Sequence, residues 1–311
     1  MNQPGRSCPL RYRHGAAAIA AAAETMTDTL YLAGGLYGNT LALDALLAMT
    51  AREPGPARLC FNGDFNWFNV DDAGFRDINT RVLEHDAILG NVEAELPSNG
   101  GDAGCGCAYP DDVDDATVER SNLIHARLRE TAARHPDLLA RLAQLPLVAR
   151  YRVGDLRIGV VHGDADSLAG WDFDIARLAD RRHRDGLGDR FAAARVDLFA
   201  SSHTCLPVCR QLAQGHVVIN NGSAGMPNFS GTHFGVVTRI ATRPSPHEAL
   251  YGLVHGGVHI DALPVRYDQA AWLDAFLACW PPGSPAHVSY FERMRNGPDH
   301  SVRQAAPTSC V

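Results

Sequence analysis

The chain repeats one local pattern, in which an apolar run of strand length ends in a short polar turn. Four of these turns carry a side chain that commonly binds metal ions: Asp64 after "ARLCFNG", Asn91 after "AILG", His162 after "LRIGVV" and His203 after "DLFASS". Strands that end in polar turns before helices are typical of layered α/β domains, in which functional groups gather at the carboxyl ends of strands. The pattern therefore predicts an α/β fold with its site at these turns.

Helical periodicity organises much of the remaining chain, and the second half is mostly strand. We expect helices over five stretches: 40–49, 78–87, 114–133, 136–145 and 269–279. The predicted boundaries are a disordered N-terminal extension (1–27), a main domain (28–268) with a helical insertion at about 97–146, and a C-terminal helix and tail (269–311). Met26 is a candidate alternative translation start, which would remove most of the extension.

Composition limits the kinds of partner that the chain can bind. The 311 residues carry a formal charge of −7 with a pI near 6.0, which disfavours binding to a nucleic-acid duplex or an anionic membrane. The chain contains no lysine, so a P-loop lysine and a Schiff base are both excluded. No strongly apolar stretch reaches the roughly 18 residues of a membrane span. We expect a cytoplasmic protein whose eight cysteines, including Cys310, are reduced thiols.

Taken in chain order, the polar turns resemble a known set of motifs. They are "GLYGN" (Gly35–Asn39), "GD" (Gly63–Asp64), "GNVE" (Gly90–Glu93), "VHG" (Val161–Gly163), "SHTC" (Ser202–Cys205) and "NNGSAGMP" (Asn220–Pro227). Over about residues 28–268 this order resembles the calcineurin-like metallophosphoesterases, especially the small bacterial phosphodiesterases and the diadenosine-tetraphosphatase-like members. The resemblance implies a four-layer α/β fold, a β-sandwich flanked by helices, with a small helical insertion.

The resemblance also implies a metal site. Members of the family hold two divalent cations that activate a water and clamp the phosphate oxygens. The positions that match the ligands of one cation are complete in this chain, and they are Asp64, Asn91, His162 and His203. Two imidazoles, a carboxylate and an amide oxygen suit Zn²⁺, Mn²⁺ or Fe²⁺. We therefore expect one bound divalent cation rather than two.

The positions that match the other cation depart from the family. Gly35 and Tyr37 stand where the family has an aspartate and a histidine, and Cys205 replaces its last histidine. Tyr37 is either a metal ligand or a packing or lid residue. Cys205 is either an ordinary thiol or part of a thiolate-rich second metal site. The cysteines that would complete such a site are Cys105, Cys107 and Cys209.

A further departure concerns proton transfer. Val92 occupies the position of the family's proton-donating histidine, and its side chain has no proton to donate. Asn39, Glu93 and Asp164 remain candidates for substrate contact or for support of the metal ligands. The run "RRHR" at 181–184 is either a solvated helix face or a basic patch that attracts an anionic substrate.

Together these features favour a metal-dependent phosphoesterase that hydrolyses a phosphomonoester or phosphodiester at an atypical site with one cation. One alternative is a catalytically impaired protein of the same fold that serves as a binding or regulatory module. A third interpretation is a thiol-dependent metal site. The expected partner is a phosphorylated small molecule or a phosphoprotein, and a homodimer or a protein partner is compatible with the sequence.

Overall fold

The computed structural model describes residues 3–97 and 103–307. Cys310, residues 98–102 of the predicted insertion and residues 308–311 of the predicted tail lie outside the described residues. The strands are β1 (Glu24–Met26), β2 (Thr29–Ala33), β3 (Arg58–Phe61), β4 (Asp86–Ala87), β5 (Val148–Val153), β6 (Leu156–Val161), β7 (Leu198–Ser201), β8 (Val208–Gln211), β9 (Val217–Asn220), β10 (Gly235–Ala241), β11 (Tyr251–His255) and β12 (Val258–Val265). The helices are α1 (Ala16–Ala21), α2 (Thr40–Thr50), α3 (Asp72–Val82), α4 (Asn91–Glu95), α5 (Asp115–Ala132), α6 (Pro136–Leu142), α7 (Ile175–Ala179), α8 (Arg181–Asp185), α9 (Gly188–Ala194), α10 (Gln269–Cys279), α11 (Pro285–Asn296) and α12 (Val302–Ala305).

The strands form two six-stranded sheets in the described ranges. The first sheet has the order β1-β5-β6-β7-β9-β8, and the second has the order β11-β12-β10-β2-β3-β4. In the first sheet β6, β7 and β9 are mutually parallel, and in the second β2, β3 and β4 are parallel. Parallel strands end at the same edge of a sheet, so the turns after β6 and β7 lie together at one edge of the first sheet. Packing of the second sheet against the first places the turn after β3 beside them.

The two sheets pack face to face, and helices cover both outer surfaces. The buried cluster between the sheets joins Leu32 and Cys60 of the second sheet to Val160 and Leu198 of the first. A second cluster packs α2, α3, α5, α10 and α11 on the outer face of the second sheet, and a third packs α1, α7 and α9 on the first. These four layers confirm the predicted fold class.

The N-terminal segment packs on the domain, whereas the sequence predicts a disordered extension there. Ile19 of α1 is fully buried, β1 pairs in parallel with β5, and the Tyr12 hydroxyl donates to Glu95 at 2.5 Å. The alanine-rich helix presents small side chains to the first sheet, and this contact has no signal in the local sequence. The segment thus forms part of the outer layer.

Helix positions agree with the prediction in most places. α2, α5, α6 and α10 lie where helices are expected. The helix expected over 78–87 instead covers Asp72–Val82, because the Asp71 side chain caps its start by accepting from the Gly74 N–H. α11 follows the turn-like run "WPPGSP" and was not predicted, although Pro285 occupies the first helical position, where proline is favoured. None of the described helices is long and apolar enough to cross a bilayer.

Candidate metal centre

The turn after β3 carries Asp64 in a left-handed conformation, with φ of 52°. Its carboxylate is 5% exposed, and Oδ1 accepts a hydrogen bond from the Val92 N–H at 3.1 Å. The turn itself is held by Glu93, whose Oε2 accepts from the Asp64 N–H at 2.8 Å. Asp64 Oδ2 remains free to face the ends of β6 and β7.

The turn after β6 presents His162 with a defined ring orientation. Its Nδ1 lies 2.7 Å from the backbone carbonyl oxygen of Asn62, which can only accept, so Nδ1 carries the proton. The Ser202 hydroxyl donates to the same carbonyl at 2.8 Å. Nε2 therefore presents its lone pair to the side where it lies 3.3 Å from Asp64 Oδ2.

The turn after β7 presents His203 through the opposite ring nitrogen. Its Nε2 donates to the backbone carbonyl of Cys107 at 3.0 Å, and Nδ1 lies 3.2 Å from His162 Nε2. The indole of Trp171 packs edge-on against this imidazole at 5.3 Å and donates from Nε1 to the same Cys107 carbonyl at 3.2 Å. The Cys107 carbonyl in the loop before α5 thus sets the tautomer of His203, and Trp171 in the loop before α7 packs against the ring and bonds the same carbonyl.

Asn91 is the first residue of α4 and supplies the fourth polar atom. Its amide nitrogen donates to the Cys105 carbonyl at 3.0 Å, which turns Oδ1 toward His162 Nε2 at 3.0 Å. The loop with Cys105 and Cys107 therefore orients Asn91 and His203 by its backbone carbonyls. A supporting shell of this kind is typical of metal sites.

Four acceptor atoms converge on one point: Asp64 Oδ2, Asn91 Oδ1, His162 Nε2 and His203 Nδ1. His162 Nε2 lies 3.0–3.3 Å from each of the other three atoms, and the ligand atoms of Asp64, His162 and His203 all lie within 4.8 Å of one another. Ligands held at about 2.0–2.2 Å from a Zn²⁺-like cation lie roughly 3.0–3.5 Å from one another. Acceptors that face each other without a donor need a positive charge between them. The donor set therefore fits a divalent cation of the Zn²⁺, Mn²⁺ or Fe²⁺ type.

The electrostatics of the buried groups agree with this arrangement. Burial alone raises the pKa of Asp64, but the His162 imidazole, together with His203 and the Val92 N–H, brings the pKa below its usual value. Burial acts against a charged His162, yet the Asp64 carboxylate raises the pKa of that ring. Burial, together with the neighbouring His162, lowers the pKa of His203 to about 3. The centre favours positive charge beside the carboxylate and a neutral imidazole at His203.

The positions of the other half-site have a different structure. The Tyr37 hydroxyl oxygen lies 2.8 Å from Cys205 Sγ, and both residues have positive φ, 54° and 60°. A Cβ atom on Gly35 would lie 2.3 Å from Cζ of Tyr37. The tyrosine ring thus fills the space beside Gly35, where the family would have its aspartate. Tyr37 acts as a packing residue in this arrangement.

The cysteines do not assemble a thiolate site in the described part of the chain. Among residues 3–97 and 103–307, the histidine, cysteine and acidic side chains close enough to share one cation are Asp64, His162 and His203, with ligand atoms within 4.8 Å of one another. Cys205 Sγ instead contacts Tyr37 and the His203 carbonyl. Cys209 is buried between the sheets.

Three candidate support residues have structural partners. Asn39 caps α2 by accepting from the Ala42 N–H and donates to the Gly225 carbonyl, so its amide is not available to a substrate. The Asp164 carboxylate accepts backbone N–H bonds within its own loop, from residues 166, 167 and 172. Glu93 is fully buried, and burial together with Asp64 raises its pKa to about 7. Only Glu93 supports a metal-ligand residue directly.

The centre opens into a cavity of about 190 Å³ that is rich in aromatic side chains. Val92 lines it at the position of the family's proton donor. Sequence reasoning missed most of the other wall residues, which are Trp67, Tyr109, Trp171, Tyr290 and Arg293. Tyr290 and Arg293 lie three positions apart on α11, so recognition of that helix would have placed them on one face. The "RRHR" run forms α8 and does not line the cavity.

Comparisons with known proteins agree with the layered architecture. No protein-family model matches the chain, and no curated protein matches it. The crystal structure of a metallophosphoesterase from Sphaerobacter thermophilus is similar, with 16% identity, a TM-score of 0.54, and coverage of 87% of this chain and 100% of that chain. A hypothetical protein from Pyrococcus horikoshii OT3 is also similar, with 14% identity, a TM-score of 0.57, and coverage of 88% of this chain and 99% of that chain. The chain therefore has the fold of the calcineurin-like metallophosphoesterases.

Proposed function

We propose that this protein is a metal-dependent phosphoesterase that works with a single divalent cation. The observation that supports the proposal is the convergence of four acceptor atoms from Asp64, Asn91, His162 and His203. A single cation is proposed because the Tyr37 ring fills the space in which a second cation would need a ligand from position 35. Mn²⁺, Zn²⁺ and Fe²⁺ all suit the donor set.

Asp64, Asn91, His162 and His203 would hold the cation, which would supply the two usual contributions of a metal to ester hydrolysis: polarisation of a phosphoryl oxygen and a lowered pKa of water. The residues of the chain orient the ligands, with Asn62 and Cys107 holding the two histidines by their carbonyls. Water adds to phosphorus as the ester P–O bond breaks. The bonding electron pair leaves on the ester oxygen, and the attacking water gives up one proton to the solvent.

The leaving oxygen receives no proton from the family's usual position. Val92 stands there, and among the described wall residues the one histidine is His203, whose Nε2 is already bonded to Cys107. General acid catalysis is commonly worth about 10²–10⁴-fold in rate. We therefore propose that the enzyme acts on esters whose leaving group is stable as an anion, such as aryl esters.

Metal content and turnover together test the proposal. Protein purified without chelator is expected to hold one equivalent of a divalent cation and to hydrolyse p-nitrophenyl phosphate or bis-p-nitrophenyl phosphate when Mn²⁺ is added. His162→Ala should lose both properties. His255→Ala is the matched control, because this histidine ends β11 and is absent from the cavity wall.

The outcomes separate the two candidate functions. Turnover that persists in His162→Ala would exclude a phosphoesterase that depends on this centre. One tightly held cation without turnover of either ester would favour the binding module, a candidate supported by the filled half-site of Tyr37 and the absence of a proton donor at Val92.

A further inference from the structure

Arg293 places a guanidinium at the wall of the cavity. One of its terminal nitrogens donates to the Cys205 carbonyl at 2.9 Å, which anchors the side chain across from α11. Its Nε is buried and has no hydrogen-bond partner among the described residues. A buried N–H donor without a partner costs free energy. Because the partly buried Arg293 also lines the cavity, an anion held there would add acceptors for this guanidinium.

The Arg293 guanidinium lies beside Cys205 and Tyr37, which stand at the half-site where the family's metal ligands are replaced. Arg293 is close enough to lower the pKa values of Cys205 and Tyr37, although burial raises both and determines the net direction. It is also the one cationic residue among the described wall residues, which include Asp64 as the acid. The guanidinium therefore brings positive charge to the side of the cavity where the family has its other cation.

We infer that Arg293 binds the phosphoryl group of the substrate and takes over the charge-neutralising role of the missing second cation. A guanidinium presents N–H donors in a planar fork that matches phosphate oxygens. The inference rests on the proposed phosphoesterase function, and it adds to that function a phosphate ligand from α11.

The cavity walls also define the class of substrate. A volume of about 190 Å³ is smaller than the roughly 300–1,000 Å³ of pockets for drug-sized ligands. The walls are aromatic, with Trp67, Tyr109, Trp171 and Tyr290 around the polar centre. Flat rings pack well against such walls. The substrate is therefore a small phosphate ester with a single flat, apolar group, rather than a phosphoprotein.

Binding of inorganic phosphate and of phenyl phosphate provides the test. Both are titrated into the purified protein, whose metal content is measured, and binding is followed by calorimetry. Arg293→Met should weaken phosphate binding about 10- to 100-fold, as expected for loss of charged hydrogen bonds, with metal content unchanged. The phosphate affinity of Arg293→Lys should lie between those of the wild type and Arg293→Met. Arg295→Met is the matched control on the same helix, because the Arg295 side chain is 61% exposed, lies 4.0 Å from Glu292 and is not among the described residues that line the cavity.

Each outcome bears on one claim. Equal phosphate affinity in wild type and Arg293→Met would overturn the role of Arg293, while ester turnover with one cation would leave the phosphoesterase proposal intact. If both Arg293 variants lose the bound metal as well as phosphate binding, the inferred role of Arg293 is also overturned, because the residue would then be structural. Phenyl phosphate that binds no tighter than inorganic phosphate, or more weakly than a phosphoserine peptide, would overturn the proposed substrate class.

Discussion

Substitution of Gly35 by alanine tests whether the Tyr37 ring has taken over the space of a metal ligand. An ideal Cβ on Gly35 would lie 2.3 Å from Cζ and 2.7 Å from the hydroxyl oxygen of Tyr37. The ring is held in place, because it is 5% exposed and its hydroxyl contacts Cys205. Overpacking of this kind costs about 1–3 kcal/mol. We expect Gly35→Ala to lower the free energy of unfolding by that amount.

The same substitution should cost almost nothing in a Tyr37→Ala background, because the ring that obstructs the new methyl group is absent. Tyr37→Ala alone should cost about 3–5 kcal/mol, and the double-mutant cycle should give a coupling of about 1–3 kcal/mol. Urea unfolding followed by tryptophan fluorescence measures all four proteins. Equal costs of Gly35→Ala in the two backgrounds would refute the reasoning.

Gly188→Ala provides the control for the general effect of adding a methyl group to a glycine. Gly188 begins α9, and the nearest atom to its ideal Cβ is Gln214 Oε1 at 3.9 Å. Alanine is favoured over glycine in a helix by about 0.5–1 kcal/mol. We therefore expect Gly188→Ala to leave the free energy of unfolding unchanged or to raise it slightly.

Three further predictions concern other buried polar groups. Arg239→Met should lower the free energy of unfolding by about 3–5 kcal/mol in urea, because it leaves Glu53 buried without the guanidinium it accepts from at 2.6 Å. Burial raises the pKa of Glu53, but Arg239 lowers it below the usual value. The stabilisation from this ion pair is therefore complete above about pH 4.3 and is lost as the pH falls further. Acid unfolding of Glu53→Gln should not show this loss. Cys105→Ser should keep the bound cation in elemental analysis, because Asn91 bonds the backbone carbonyl of residue 105 and not its side chain. Gly106→Ala should lose the cation, because Gly106 has a φ of 73° and a Cβ there would lie 2.3 Å from the Tyr12 hydroxyl oxygen. Glu93→Gln should weaken cation binding about 10–100-fold in a metal titration, since its carboxylate accepts N–H bonds from the metal-bearing turn, and undiminished affinity would contradict this role.

Sequence reasoning succeeded where the signal is local. Asp64, His162 and His203 each follow an apolar strand. Parallel pairing of β6 with β7 brings the turns of the two histidines together, and packing of the second sheet against the first adds the turn of Asp64. Helices with clear starts and periodicity, such as α5 and α10, were predicted close to their observed bounds. The helix start at Asp71 was missed because the capping aspartate and the helix lie in a polar run with few apolar residues.

Prediction failed where a group acts through a distant partner. Sequence position identified Tyr37 and Cys205 as departures from the family, but their contact joins residues 168 positions apart and depends on packing. The tautomer of His203 depends on the Cys107 carbonyl, 96 positions away, and a backbone carbonyl has no residue type to recognise. Arg293 was overlooked because its helix follows a proline- and glycine-rich run that favours a turn.

The order of the strand-end turns is a local property of the sequence, and it was enough to predict the layered fold and to name Asp64, Asn91, His162 and His203 as candidate ligands. Periodicity and turn chemistry act over a few residues, so they can be read along the chain. The tertiary structure alone decided that Tyr37 closes one half of the site and that α11 contributes Arg293 to its wall. These features depend on which surfaces meet when the sheets and helices pack, and no local pattern records that contact.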